Sequence, residues 1–114
     1  RDGTGIRDYI HVVDLAMAHV TAVDRQADLA PFEALNIGSG TGATVLEMVE
    51  AFERASGVSI ARKTAPRREG DLTEFWANPA LALERLGWQT TLSLDDICQD
   101  TWRWQKNNPR GFIL

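Results

Sequence analysis

At 114 residues the chain can build one domain around one hydrophobic core, and it is too short for a dinucleotide-binding sheet plus a separate substrate domain. Apolar residues at 44%, charged residues at 25% and a formal charge of −4 exclude a disordered or fibrous chain and argue against general affinity for nucleic acid or an anionic membrane. Any anion must be held locally.

No apolar run approaches the roughly 18 residues needed to span a bilayer, and no charged stretch followed by an apolar one opens the chain. Cys98 is the only cysteine, which excludes an intrachain disulfide and fits a reducing, cytoplasmic compartment. The chain begins at Arg1 without methionine, in the turn-like stretch Asp2-Gly3-Thr4-Gly5, and reads as cut from something longer.

Residues 6–11 alternate apolar and polar side chains, the period of a half-buried strand. A helix follows, with Val12, Leu15, Ala16, His19, Val20 and Val23 on one apolar stripe, Asp14 in the first turn and an end near Gln26. Residues 32–37 read as a short buried strand running into Gly38-Ser39-Gly40-Thr41-Gly42. Thr44-Val45-Leu46-Glu47 has the form of a capping box, Val45, Met48, Val49 and Phe52 carry the apolar face of the helix it opens, and Gly57 ends it. Residues 58–61 are a strand candidate. Asn78-Pro79 opens a short helix closed by Gly87, and Ser93 opens a last helix that ends before Asn108-Pro109, with Leu94, Ile97, Cys98 and Thr101 on one face. There is no internal repeat and no low-complexity linker.

Strand, then Gly-x-Gly-x-Gly, then helix is a layout that can seat a phosphate over a helix N-terminus, but a tight strand-to-helix turn has the same pattern. Arg67, Arg68 and Asp71 lie on a loop that Pro66 and Gly70 keep irregular. Arginine suits phosphate through its planar fork, and aspartate can accept from both hydroxyls of a ribose, so the pairing hints at a nucleotide; a solvated charge cluster is the plain alternative. On the first strand Arg7 and Tyr9 share a face by the period of two. His11 is read as a helix-start residue and His19 as a core-facing or rim residue, with no metal-ligand spacing. The tryptophans are read as packing residues.

Taken together, the run from Asp2 to Ala16, Asn36-Ile37-Gly38-Ser39-Gly40-Thr41-Gly42, Val45-Leu46-Glu47-Met48, residues 65–71, Leu86-Gly87-Trp88 and residues 100–105 closely resemble, in order, the C-terminal part of UDP-glucose 4-epimerases. These belong to the extended short-chain dehydrogenase/reductase superfamily. The resemblance covers essentially the whole chain and implies a single α/β substrate-binding domain over 1–114, with short strands and about four helices, lacking the Rossmann half. It implies an isomerase mechanism in which NAD takes a hydride from C4 of the sugar, the 4-keto sugar turns about its diphosphate tether, and the hydride returns to the other face, interconverting UDP-glucose and UDP-galactose.

The family's Tyr-x-x-x-Lys pair and dinucleotide glycine motif are not in this stretch, so the resemblance assigns no catalytic or NAD-binding residue here, and the chain alone is expected to be inert. It assigns Arg7 and Arg68 to the diphosphate, Asp71 to the ribose, Tyr9 and Val45 to the uridine region, and Phe75 to the border of the sugar. Phe75 departs from the tyrosine or small residue common at that position. The implied partners are the missing N-terminal half and a second copy of the parent enzyme. Two alternatives stand beside this one: another nucleotide-sugar-modifying member of the superfamily, and an S-adenosylmethionine-dependent methyltransferase built on the Gly38 loop. Asn36 and the pair Arg62-Lys63 argue against the methyltransferase, because that family sets acidic residues there.

Overall fold

The first helix starts where the sequence expects. His11 Nδ1 accepts from the Val13 N–H at 3.0 Å, and α1 runs Val12–Asp24. The computed structural model describes residues 2–112; Arg1 lies outside them. In chain order the elements are β1 (Ile6–Asp8), α1, a short 3-10 turn (Gln26–Asp28), β2 (Gly42–Thr44), α2 (Val45–Ser56), β3 (Glu74–Phe75), α3 (Ala80–Leu86) and α4 (Leu94–Asn107). This is the expected small α/β unit with four α-helices. The strands form one sheet in the order β2-β1-β3, with β1 antiparallel to β2 and parallel to β3.

Helix boundaries follow from caps. Thr44 and Glu47 form the expected reciprocal capping box, Ser93 and Asp96 form another, and α2 and α3 stop at the left-handed Gly57 and Gly87. Asn78 Oδ1 accepts from the Ala80 N–H at 3.1 Å, one position from the expected start of α3. Helices α2 and α4 pack through Ala51 and Cys98, both fully buried, and through an edge-to-face contact of Phe52 with Trp102, ring centroids 6.3 Å apart. The face of α4 therefore passes through half-buried Trp102, not the exposed Thr101.

The strands depart most from expectation. Residues 9–11 leave the ladder, so β1 is only three residues long. Residues 32–37 form no strand, although Glu33, Leu35 and Ile37 are half-buried and Phe32, Ala34 and Asn36 exposed. This is the alternation of a strand without a neighbouring strand to bond. Residues 58–61 form none either, because side chains of α2 supply their acceptors: Ser56 Oγ takes the Val58 N–H and Glu53 Oε1 the Ile60 N–H. Strands β2 and β3 lie where the sequence suggests no strand and carry no alternation long enough to signal one.

Helix α1 turns a different face inward from the expected stripe. Its buried side runs His11, Asp14 and Ala18, with Ala22 half-buried. Val12, Val13, Met17, Val20 and Val23 are 49–71% exposed, and His19 is exposed too. The helix is apolar on two sides, and what selects the inner one is polar. Asp14 Oδ2 accepts from the N–H groups of Thr91 and Leu92 at 3.1 and 3.0 Å, Asp14 Oδ1 accepts from the Thr91 hydroxyl at 2.9 Å, and the Asp14 carbonyl accepts from Trp88 Nε1 at 3.1 Å. The acid read as a helix-dipole residue is thus the staple that ties α1 to the chain entering α4. Around it Ala18, Ala82, Leu86 and Trp88 form a small core.

Asp14→Ala leaves the Thr91 and Leu92 amides without their acceptor, and should destabilise the fold by about 3 kcal/mol, the worth of losing several bonds to one charged group. Urea titration of parent and variant measures this as a lower midpoint at unchanged slope. An unchanged midpoint would mean that the staple contributes nothing.

Candidate nucleotide-binding site

The site is assembled on β1, where alternation sends Asp8 to one face and Arg7 to the other. Asp8 faces the glycine loop. Its Oδ1 accepts from the Ser39 hydroxyl at 2.5 Å and the Ser39 N–H at 3.0 Å, and its Oδ2 from the N–H groups of Gly40 at 3.3 Å and Ala77 at 3.1 Å. Burial alone would raise the pKa of this carboxyl, but the Ser39 hydroxyl and the three amides outweigh it and hold the pKa below its ordinary value. Gly38 is required by close approach: a Cβ there would lie 2.6 Å from both Asp8 Oδ2 and the Ala77 Cβ.

These contacts decide between the two readings of the glycine loop. Ser39 and Gly40 donate to Asp8, and Thr41 donates to Ser39 Oγ at 3.1 Å. The first amides of α2 are equally committed: Val45 to the Gly5 carbonyl, Leu46 to Thr4 Oγ1 and Glu47 to Thr44 Oγ1. A dinucleotide pyrophosphate needs such amides free. The loop is a turn stapled by Asp8, and these residues do not fit a bound NAD.

On the other face of β1, Arg7 is registered beside Ala43 of β2 and Phe75 of β3. Its Nη1 donates to the Ile6 carbonyl at 2.7 Å and its Nη2 to Asp71 Oδ1 at 2.5 Å. Asp71 Oδ2 lies 3.5 Å from Arg68 Nη2. Asp71 is therefore shared between two guanidinium groups. Arg7 is about two-thirds buried and doubly held, whereas the Arg68 side chain is 86% exposed.

Arg68 and Asp71 edge a cleft of about 600 Å³ whose apolar wall includes Val45, Leu46, Val49 and Pro66. Arg62, Lys63 and Arg67 also line it, so an acidic chain sets four basic side chains on one cleft. Sequence reasoning used Arg62-Lys63 only to argue against a methyltransferase; the signal was two basic pairs five residues apart on one irregular segment. Phe75 stands beside Arg7 on β3 and is 62% exposed. Tyr9 is half-buried just past the end of β1 and is not part of the cleft wall. The structure thus joins Arg7, Arg68, Asp71 and Val45, sets Phe75 alongside, and leaves Tyr9 apart.

Asp2, also on the cleft, was missed. It accepts from the Thr44 hydroxyl and from the N–H and hydroxyl of Thr4, which together lower its pKa to about 2. A second cleft, of about 650 Å³, lies between the start of α1 and α4 and contains the pair His11 Nε2 and Asp100 Oδ2 at 3.3 Å; it holds none of the residues assigned to the nucleotide. Among the described residues no group of His, Cys, Asp or Glu could hold a metal ion, and no helix is long and apolar enough to cross a membrane.

The family described as GDP-mannose 4,6 dehydratase matches residues 1–101. The UDP-glucose 4-epimerase of Bos taurus is 54% identical over 111 residues, a match covering 97% of this chain and 32% of that protein. The crystal structure of UDP-glucose 4-epimerase from Stenotrophomonas maltophila with bound NAD and formylated UDP-arabinopyranose superposes with a TM-score of 0.91 at 46% identity, covering 96% of this chain and 33% of that one. The epimerase from Bifidobacterium longum in complex with NAD+ and UDP superposes at 0.86 with 43% identity, covering 97% and 33%. The chain spans about a third of the length of these relatives.

Asp2 and Asp8 both carry lowered pKa values, so in acid the unfolded chain binds protons that the folded chain does not. Their stabilisation is complete above the ordinary aspartate value of about 3.9 and disappears as pH falls through the folded values, about 2 for Asp2. Denaturant titrations between about pH 5 and pH 2 should show stability falling with pH, less steeply in Asp2→Asn. Equal slopes in parent and variant would rule out the Asp2 contribution.

Proposed function

This chain belongs to the GDP-mannose 4,6 dehydratase family, and within it we propose that the chain is the nucleotide-anchoring part of an NAD-dependent UDP-glucose 4-epimerase acting on UDP-glucose and UDP-galactose. The observation that carries this reading is the Arg7, Asp71 and Arg68 cluster at the edge of the basic cleft. Arg7 and Arg68 hold the diphosphate, Asp71 the ribose, and Val45 borders the uridine; Tyr9, assigned to the uridine by resemblance, stands off this cleft. Epimerisation at one carbon needs the nucleotide held fast while the hexose turns, and this asymmetry fits a firm charged anchor beside the single apolar ring of Phe75. The redox step and its NAD belong to the part of the enzyme outside this chain.

That other part is the partner we assign to the exposed side of α1. Five large apolar side chains on one helix face exceed what a monomer usually leaves open. Leu35 and Ile37 pack on the core around Ala18, and residues 32–37 alternate in burial with no strand among the described residues to pair, as an edge strand awaiting a sheet would. The radius of gyration, 16.8 Å, exceeds the roughly 13 Å of a compact domain of this length. We read the parent enzyme as a cytoplasmic homodimer; the buried free thiol of Cys98 suits a reducing compartment.

In the full-length enzyme, Arg68→Ala should weaken UDP binding by about 1.5–3 kcal/mol, the worth of a bond to a charged group, with lysine rescuing only in part. Calorimetry gives the answer directly, and an unchanged dissociation constant removes Arg68 from the diphosphate. Phe75 occupies space that a cysteine would leave open to an N-acetyl group. The parent should therefore prefer UDP-glucose and UDP-galactose over their N-acetylated counterparts, and Phe75→Cys should raise kcat/KM for the latter. Equal efficiency on both pairs in the parent would show that Phe75 is not the gate.

A further inference from the structure

We infer that Asp71 determines specificity by making the arginine pair reject simple phosphate anions and accept only those that carry a ribose. The inference rests on the anchor reading above and deepens it. Arg7 and Arg68 would by themselves form a general anion site, since paired guanidinium groups bind phosphate and pyrophosphate wherever they converge. Here they already converge on a carboxylate, Arg7 at 2.5 Å and Arg68 at 3.5 Å. The arrangement is built in. The Asp71 N–H donates to the Arg68 carbonyl at 3.2 Å across a turn whose Gly70 has φ +77°, which fixes aspartate and arginine side by side. Arg7 is fixed in turn by the Ile6 carbonyl.

An incoming phosphate must therefore compete with Asp71 and then sit against its negative charge, with nothing to compensate the displaced carboxylate. Asp2, also on the cleft wall, adds a second negative charge, while Arg62, Lys63 and Arg67 add positive ones. That surplus attracts anions in general without telling them apart. A nucleotide brings the compensation with it. Its ribose hydroxyls are donors, and the Asp71 oxygen released by Arg68 is an acceptor for them. Arg68, exposed and loosely paired, is the group free to turn from Asp71 to the phosphate; Arg7, pinned at both ends, keeps Asp71 in reach of the sugar.

The test compares UDP and inorganic pyrophosphate by calorimetry on the full-length enzyme, as parent, Asp71→Asn and Asp71→Glu. Pyrophosphate should bind Asp71→Asn about tenfold more tightly than the parent, and UDP about tenfold more weakly, as expected when one like charge is removed beside a phosphate and one charged acceptor is lost to a hydroxyl. Asp71→Glu should keep the rejection of pyrophosphate. A measurement on the parent alone is independent of variant folding: UDP lacking both ribose hydroxyls should bind about tenfold more weakly than UDP, and equal affinity would overturn the inference. If UDP binds the parent but pyrophosphate affinity is unchanged or lower in Asp71→Asn, this inference fails and the anchor stands. If UDP does not bind the parent, both fall.

Discussion

The carboxylate of Asp8 is the constraint on which the rest of the site depends. With four donors it joins the central strand, the glycine loop and the chain leaving β3. A three-residue strand bonded to partners of three and two residues is too short to set its own register by ladder bonds alone. Asp8 sets it from the side. Because the two faces of a strand alternate, fixing Asp8 toward the loop also fixes Arg7 toward Asp71, so a structural acid aims the arginine proposed to hold the diphosphate.

The second organising feature is an inversion of charge. The chain carries a net −4, yet its acids are spent mostly on itself: Asp2 and Asp8 on backbone turns, Asp14 on the approach to α4, Glu33 on Arg85, Asp96 on a helix cap. Arginines and a lysine line the cleft instead. Net charge alone therefore misstates what the surface offers a ligand, because a carboxylate satisfied by amides projects little field beyond them.

Local signals were legible in the sequence and distant ones were not. The Thr44 and Ser93 capping boxes, the His11 start and the Gly57 and Gly87 stops depend on residues a few positions apart, and they stand where expected. The inner face of α1 was misread because periodicity counts hydrophobicity, whereas Asp14 is buried by donors 77 and 78 positions away. Residues 32–37 have a strand's alternation but no partner to make them one. In the site, residue types and loop placement pointed to a nucleotide, and family resemblance supplied the individual roles. Neither could tell that Arg7 and Asp71 hold each other, since that contact is a product of the β1 and β3 pairing.

The separation of the two anchor residues has a consequence for how the protein is held together. Arg7 and Asp71 are 64 positions apart, and Asp2 reaches Thr44 across 42, so no fragment of local structure contains the site. It exists only when the long loops are closed, and closing them costs chain entropy that short helices do not incur. Whatever binds across Arg7 and Asp71 binds the folded chain alone and acts as a non-covalent crosslink between its first strand and the loop that leads into its last. Its affinity is thereby added to the stability of the fold, and saturation with ligand tightens the whole chain as well as the cleft.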